Sequence, residues 1–146
     1  MALFKFTKNI LEDKEIDVYN NGNHSRDFTY VDDIVEGIYL SSISKKELID
    51  SNFDSKDPSR SFCKSIIFNL GRGKPENLED FIDEIENNLG KRAKRNLMPL
   101  QPGDVPDTSA DISGLKDFSG YEPKTSIKIG VKNFIDWYKE YYKVNL

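Results

Sequence analysis

The apolar residues of this chain recur at two spacings, and the changes from one to the other delimit its elements. Leu3, Phe6, Thr7, Ile10 and Leu11 form a helical stripe that begins almost at Met1. No N-cap residue stands ahead of it to satisfy the first free amides, so the stripe reads as an element entered midway. "IDVYNNGN" then alternates β-branched or aromatic residues with polar ones and stops at Asn-Asn-Gly-Asn, the pattern of a short strand and a turn. A second strand is expected in "DFTYV". After it the period changes to 3.6, and Asp32 can cap a helix whose apolar face is Ile34, Val35 and Ile38, extended by Ser42.

Residues 44–65, "SKKELIDSNFDSKDPSRSFCKS", are polar and aperiodic and read as a surface loop. "SIIFNLG" has the character of a buried strand. The clearest helix follows in "PENLEDFIDEIENNLG", where Leu78, Phe81, Ile82, Ile85 and Leu89 share one face, Pro75 precedes and Gly90 stops it. "RAKRNLMPL" can form another strand and "QPGDVPDTSAD" a loop. A last helix is expected from about Ile127, capped by Thr125 or Ser126, with Val131, Phe134, Ile135, Tyr138 and Tyr142 on one face. No internal repeat interrupts this order, which describes an α/β unit of helices around a small mixed sheet.

Composition narrows the partners. A chain of 146 residues is one domain by length, and Lys+Arg 21 against Asp+Glu 25 leaves a formal charge of -4, which offers nucleic acid no general attraction. No apolar run approaches the eighteen or so residues of a membrane span. Cys63 is the single cysteine, so no internal disulfide can form. With no secretory pattern in "MALFKFTKNILEDKE", a reducing cytoplasm is the expected location.

Several motifs carry no chemistry. "GRGKPEN" follows a strand and opens a helix like a dinucleotide fingerprint, but Glu76 takes the place of the third glycine and would repel a pyrophosphate. His24 has no second histidine or nearby cysteine at ligand spacing, so no metal is implied and a solvent-facing turn histidine is expected. "GKRAKR" reads as a solvated strand edge, and the pairs of Asp32 with Asp33 and of Glu84 with Glu86 as helix starts or polar faces. Two residues stand apart. Arg26 is an always-charged forked donor where a turn enters a strand, suited to a phosphate. Asp104 follows Pro102 and Gly103 in a tight loop that leaves a carboxylate free to accept hydroxyl hydrogen bonds.

The stretches "MALFKFTKNI", "IDVYNNG", "SRDFTYVDDIVEGI", "NLMPLQPGDVPDTSADISGL" and "GYEPKTSIKIGVKNFIDWYKEYY" resemble the carboxy-terminal part of the extended short-chain dehydrogenase/reductase family of nucleotide-sugar epimerases. The UDP-glucuronate 4-epimerases are the most similar members. The resemblance implies roles for named positions. Arg26 of "RDFTYVDD" matches the arginine that holds the UDP diphosphate, and Asp104 of "PGDV" the acid that binds the uridine ribose hydroxyls. Asp17 and Tyr19 of "IDVYN" match the strand beside uracil, through backbone bonding and ring packing. Gln101 stands where related galactose epimerases carry a second phosphate-binding arginine, a departure that agrees with the glucuronate-type members.

The same resemblance implies what is missing. The family's chemistry needs a glycine-rich turn for NAD and a Tyr-x-x-x-Lys pair, with tyrosine as the acid/base and lysine lowering its pKa. None of the seven tyrosines has lysine four residues later. The resemblance therefore implies a carboxy-terminal fragment of a Rossmann-type fold, without catalytic residues or a cofactor site of its own, NAD belonging to the full-length enzyme. Its expected partners are a UDP-sugar, the amino-terminal Rossmann half, and other copies of itself through exposed surfaces. Three readings stand open: a UDP-sugar-binding part inactive alone, half of a split epimerase or dehydratase, and a non-catalytic interaction module or remnant without ligand.

Overall fold

The computed structural model describes residues 2–44, 58 and 65–144. Helix α1 (Ala2–Leu11) leads into strand β1 (Glu15–Val18), a 3₁₀ turn (Tyr19–Gly22), strand β2 (Ser25–Arg26) and helix α2 (Val31–Ile43). Strand β3 (Glu76–Asn77), helix α3 (Leu78–Leu89), strand β4 (Lys94–Leu97), helix α4 (Ser113–Ser119) and helix α5 (Ile127–Tyr142) follow. β1 and β4 pair in parallel, Glu15 opposite Lys94 and Val18 opposite Leu97. β2 and β3 pair antiparallel, with Arg26 opposite Glu76.

The core lies where α1, α3 and α5 cover β1. Alternation along β1 buries Ile16 and Val18, and the period of α3 turns Phe81, Ile82, Ile85 and Leu89 toward them. Phe6 and Ile10 of α1 and Val131 and Ile135 of α5 close the cluster. Both long helices end as their sequences predict. Gly90 takes a left-handed φ of 65° as the α3 C-cap, and the Ser126 hydroxyl accepts from the Ile129 amide at 3.3 Å as the α5 N-cap.

Elsewhere the structure departs from the sequence pattern. "DFTYV" is not a strand: β2 ends at Arg26, Phe28 stacks on Phe81 with ring centroids 4.2 Å apart, and Tyr30 occupies the α2 N-cap position without a side-chain cap. Asp32 lies inside the first turn of α2 instead of capping it. The inward face of α2 is not the apolar one either. Asp33 and Gly37 are buried, whereas Val31, Val35, Ile38, Tyr39 and Ile43 are each more than half exposed. Asp33 is held there because its carboxylate accepts from the amides of Lys124 and Thr125, at 3.3 and 3.0 Å; with Asp32 it lies in the first turn of α2, as expected of a helix start, but it is buried. In "SIIFNLG" only Ile66 makes a bridge, and residues 67–70 run without a ladder.

The basic run "GKRAKR" is also more than a solvated edge. Arg92 pairs with Glu86 at 2.5 Å, and Arg95 engages Glu79, Asp83 and Glu86, so the run clamps β4 to α3. Helix α4 is an element that periodicity did not announce; its signals are Leu115, which is buried, and Gly120, which ends it at a φ of 75°. The expected loop over 44–65 lies almost wholly outside the described residues, with only Ser44, Pro58 and Ser65 inside them.

Candidate functional site

β4 delivers the chain to a tight turn. Met98 continues the line of β4, its amide donating to Val18 O at 2.9 Å, and residues 101–104 then reverse direction with the Asp104 amide donating to Gln101 O at 3.1 Å. Pro102 at the second position and Gly103, with φ of 84°, at the third are the residues a type II turn requires. The segment that follows is laid against β2. The Ser25 amide donates to Pro106 O at 3.0 Å, the Thr108 amide donates to Ser25 O at 3.2 Å, and the Ser25 hydroxyl donates to Asp107 at 2.6 Å.

This lacing brings together the two residues that the sequence singles out. Arg26 turns away from Glu76, which is taken by Arg72 at 2.5 Å, and reaches the 104–106 segment instead. Its Nη2 donates to Asp104 Oδ1 at 3.0 Å, and its Nη1 donates to Pro106 O at 2.7 Å and to Ser25 O at 2.9 Å. Both side chains remain about one third exposed, at 28% and 34%. Guanidinium carries five N–H groups, so these three bonds leave two unengaged among the described residues. Asp104 is not the free acceptor expected, since Oδ1 takes both Arg26 and the Val105 amide at 2.9 Å. A hydroxyl would have to bind at Oδ2.

His24 also departs from expectation. It is 6% exposed, not solvent-facing, because its Nδ1 meets Pro106 O at 3.1 Å and draws the ring under the 104–106 segment. Its Nε2 lies 3.7 Å from Asp104 Oδ2.

Asp27, next in the chain after Arg26, lines a hollow of about 300 Å³ together with Thr29, Asn69, Gly71, Thr108 and Ser109 among others. Asp27 builds it. Its carboxylate accepts from the amides of Arg72, Gly73 and Ala110, at 3.2, 2.8 and 3.0 Å, and so joins three segments. At Gly71 an added Cβ would meet Ala110 Cβ at 2.6 Å, so only glycine lets these walls approach. The fully buried Tyr121 donates its hydroxyl to Gly71 O at 2.9 Å. Burial first, then the carboxylates of Asp33, Asp27 and Glu36, push this phenol up to about 12, so it remains a donor at any ordinary pH. No sequence pattern marks the work of Asp27 and Tyr121, and Asp33 stands out only as one of an acidic pair, since distant amide and carbonyl partners alone reveal what these residues do.

Among the described residues no helix is long and apolar enough to cross a membrane, and no group of His, Cys, Asp and Glu could hold a metal ion.

The family described as GDP-mannose 4,6 dehydratase matches residues 2–134. The chain belongs to the GDP-mannose 4,6 dehydratase family. It is 50% identical to Protein CapI of Staphylococcus aureus, over 98% of this chain and 43% of that one. It is 39% identical to UDP-glucuronate 4-epimerase 2 of Arabidopsis thaliana, over 98% of this chain and 33% of that one. The fold superposes on UDP-glucuronic acid 4-epimerase from Bacillus cereus, solved in complex with UDP-glucuronic acid and NAD, with a TM-score of 0.79 and 29% identity. That match covers 97% of this chain and 40% of the epimerase. The chain thus spans between a third and 43% of the length of these relatives and corresponds to the carboxy-terminal part of a Rossmann-type epimerase fold.

In this family member the other expected site residues stand apart from the pair of Arg26 and Asp104 in different degrees. Gln101 opens the turn that carries Asp104 and is exposed. Asp17 bonds to its register partner Asn96 at 2.9 Å and lies 3.8 Å from Lys5, so its side chain serves β4 and α1. Tyr19 starts the 3₁₀ turn and is half-buried.

Proposed function

We propose that this chain is the UDP-sugar-binding part of an NAD-dependent nucleotide-sugar epimerase of the UDP-glucuronate 4-epimerase type, inactive by itself. The observation that carries the proposal is the partly exposed pair of Arg26 and Asp104, set side by side by the lacing of 104–108 onto β2. Arg26 offers two remaining N–H groups to the diphosphate, and Asp104 Oδ2 accepts from a ribose hydroxyl. Asp17 and Tyr19, on and just after β1, flank the uracil, and Gln101 borders the phosphates as a neutral donor.

The chain's own glycine turn does not fit NAD. The amides of Arg72 and Gly73, which would have to cradle a pyrophosphate, already donate to Asp27, and that carboxylate would repel one. NAD, which takes and returns the hydride at the sugar carbon, therefore belongs to a Rossmann half with its own glycine fingerprint and Tyr-x-x-x-Lys. The role of these residues is to fix the nucleotide while the sugar turns over elsewhere.

A second reading, half of a split enzyme, is favoured by the exposed apolar face of α2, which a Rossmann half would cover. A charge-assisted arginine bond contributes roughly 1.5–3 kcal/mol, so Arg26→Ala weakens UDP binding about ten- to a hundredfold. The measurement is UDP titration of the chain combined with a separately expressed Rossmann half from a relative, for the parent, Arg26→Ala and Asp104→Ala. The chain alone neither binds NAD nor epimerises UDP-glucuronate, and binds UDP in the millimolar range. Parental affinity in both variants, or turnover by the chain alone, would refute the proposal.

A further inference from the structure

The lone histidine of this chain is buried with one ring nitrogen unpaired. His24 Nδ1 is satisfied by Pro106 O at 3.1 Å, a carbonyl that can only accept, so this nitrogen carries the proton in the neutral ring. Nε2 then presents a lone pair. It is inaccessible to solvent, has no hydrogen-bond partner among the described residues, and faces Asp104 Oδ2 at 3.7 Å, lone pair against carboxylate. A buried acceptor facing an anion is unfavourable, and adding one proton converts it into a donor to that anion.

We propose that His24 is a positioning residue whose protonation locks Asp104 and strengthens the grip of Arg26 on the nucleotide diphosphate. Arg26 and His24 approach different oxygens of Asp104, so they do not exclude each other. With His24 neutral, Arg26 and Asp104 cancel. With His24 protonated, Nε2–H faces Oδ2 across 3.7 Å as one charge facing its opposite, the trio carries one net positive charge, and the guanidinium is no longer fully compensated. An anionic diphosphate is then drawn more strongly, and its binding takes up a proton.

Other charged groups lie on the segments that pack against His24. On β3 and the start of α3, whose Leu78 amide donates to His24 O, they are Glu76, Glu79 and Asp80, with Glu76 paired to Arg72 and Glu79 to Arg95. On the 104–108 segment they are Asp104 and Asp107, and on β2 Arg26. This inference rests on the nucleotide-site reading above for its effect on ligand, but the contact of His24 with Asp104 stands without it.

The test titrates UDP-glucose into the full chain by NMR at about pH 5.5 and about pH 7.5. The diphosphate diester of UDP-glucose keeps a constant charge across that interval, so any change belongs to the protein. Binding is expected to be about three- to tenfold tighter at the lower pH, and His24→Gln brings the ratio of the two affinities to about one. Equal affinity at both pH values in the parent overturns the proposal. As the only histidine, His24 also gives a single imidazole titration curve. Asp104→Asn is expected to move its midpoint to lower pH, and an unmoved midpoint refutes the coupling. If UDP-glucose binds at neither pH while the midpoint moves, the nucleotide-site reading fails and the coupling stands. If His24→Gln does not fold, the Asp104→Asn curve decides.

Discussion

Replacing Glu86 removes the anion on which the β4 clamp is built. This carboxylate is 3% exposed on the inner side of α3 and accepts from Arg92 at 2.5 Å, the Ala93 amide at 3.1 Å and Arg95 at 3.1 Å. Burial by itself raises its pKa, but the bonds from Arg92, Ala93 and Arg95 outweigh burial and hold it below the usual glutamate range. The Arg92 side chain is 80% exposed, so its share is discounted for solvent screening. The bonds from Arg95 and the Ala93 amide remain, and Glu86→Gln keeps one acceptor for them while losing the charge. The expected cost is about 2–3 kcal/mol, rising to about 3–5 kcal/mol for Glu86→Ala, which strands Arg95 beside its other carboxylates.

The sign of the pH dependence follows. The folded carboxyl titrates below the unfolded one, so its contribution is present in full above about pH 4.3 and fades as pH falls through the folded value. Urea unfolding of parent and Glu86→Gln at pH 7 and at successively lower pH reads both quantities. A gap under about 0.5 kcal/mol at pH 7, or one that stays constant well into acid, would refute the reasoning.

Two further perturbations probe α2. Gly37→Ala should gain about 1 kcal/mol of helix propensity yet lower the melting temperature, because its Cβ would sit 2.4 Å from Leu70 Cδ1 and 3.0 Å from the ring of Tyr121, whose hydroxyl is tied to Gly71. A stabilised variant would show that the ring moves freely. The exposed face of Val31, Val35, Ile38, Tyr39 and Ile43 should drive self-association of the isolated chain, seen by light scattering and diminished in Val35→Lys with Ile38→Lys. A strict monomer at high concentration argues against it.

Helices α3 and α5 were legible because their pattern and their burial agree: Phe81, Ile82, Ile85, Val131 and Ile135 repeat at helical spacing and all enter the core. α2 was legible as a helix but not in its orientation. Its apolar face reports a burial that these residues do not supply, while Asp33 and Gly37 enter the interior through amide partners and close approach, neither of which leaves a hydrophobic signature. "SIIFNLG" shows the same limit, since strand propensity becomes a ladder only where a neighbouring strand exists. In the site, Arg26 and Asp104 carried their chemistry in the sequence. Their mutual pairing, and the burial of His24 beneath them, depend on segments brought together by β2 and the 104–108 lacing, which no local pattern encodes.

The parallel pairing of β1 with β4 has a consequence for how the chain acquires its structure. These strands are separated in sequence by the whole of α2 and α3, so no local hairpin can seed them, and a long loop must close before their first ladder bond forms. α3 is the local element that reaches α1 on one side and α5 on the other, and it can form from neighbouring residues alone. Refolding should therefore be limited by the docking of a preformed α3, with truncations at Ile82 or Ile85 slowing the forward rate. Changes in β4 should act mainly on how fast the finished structure comes apart.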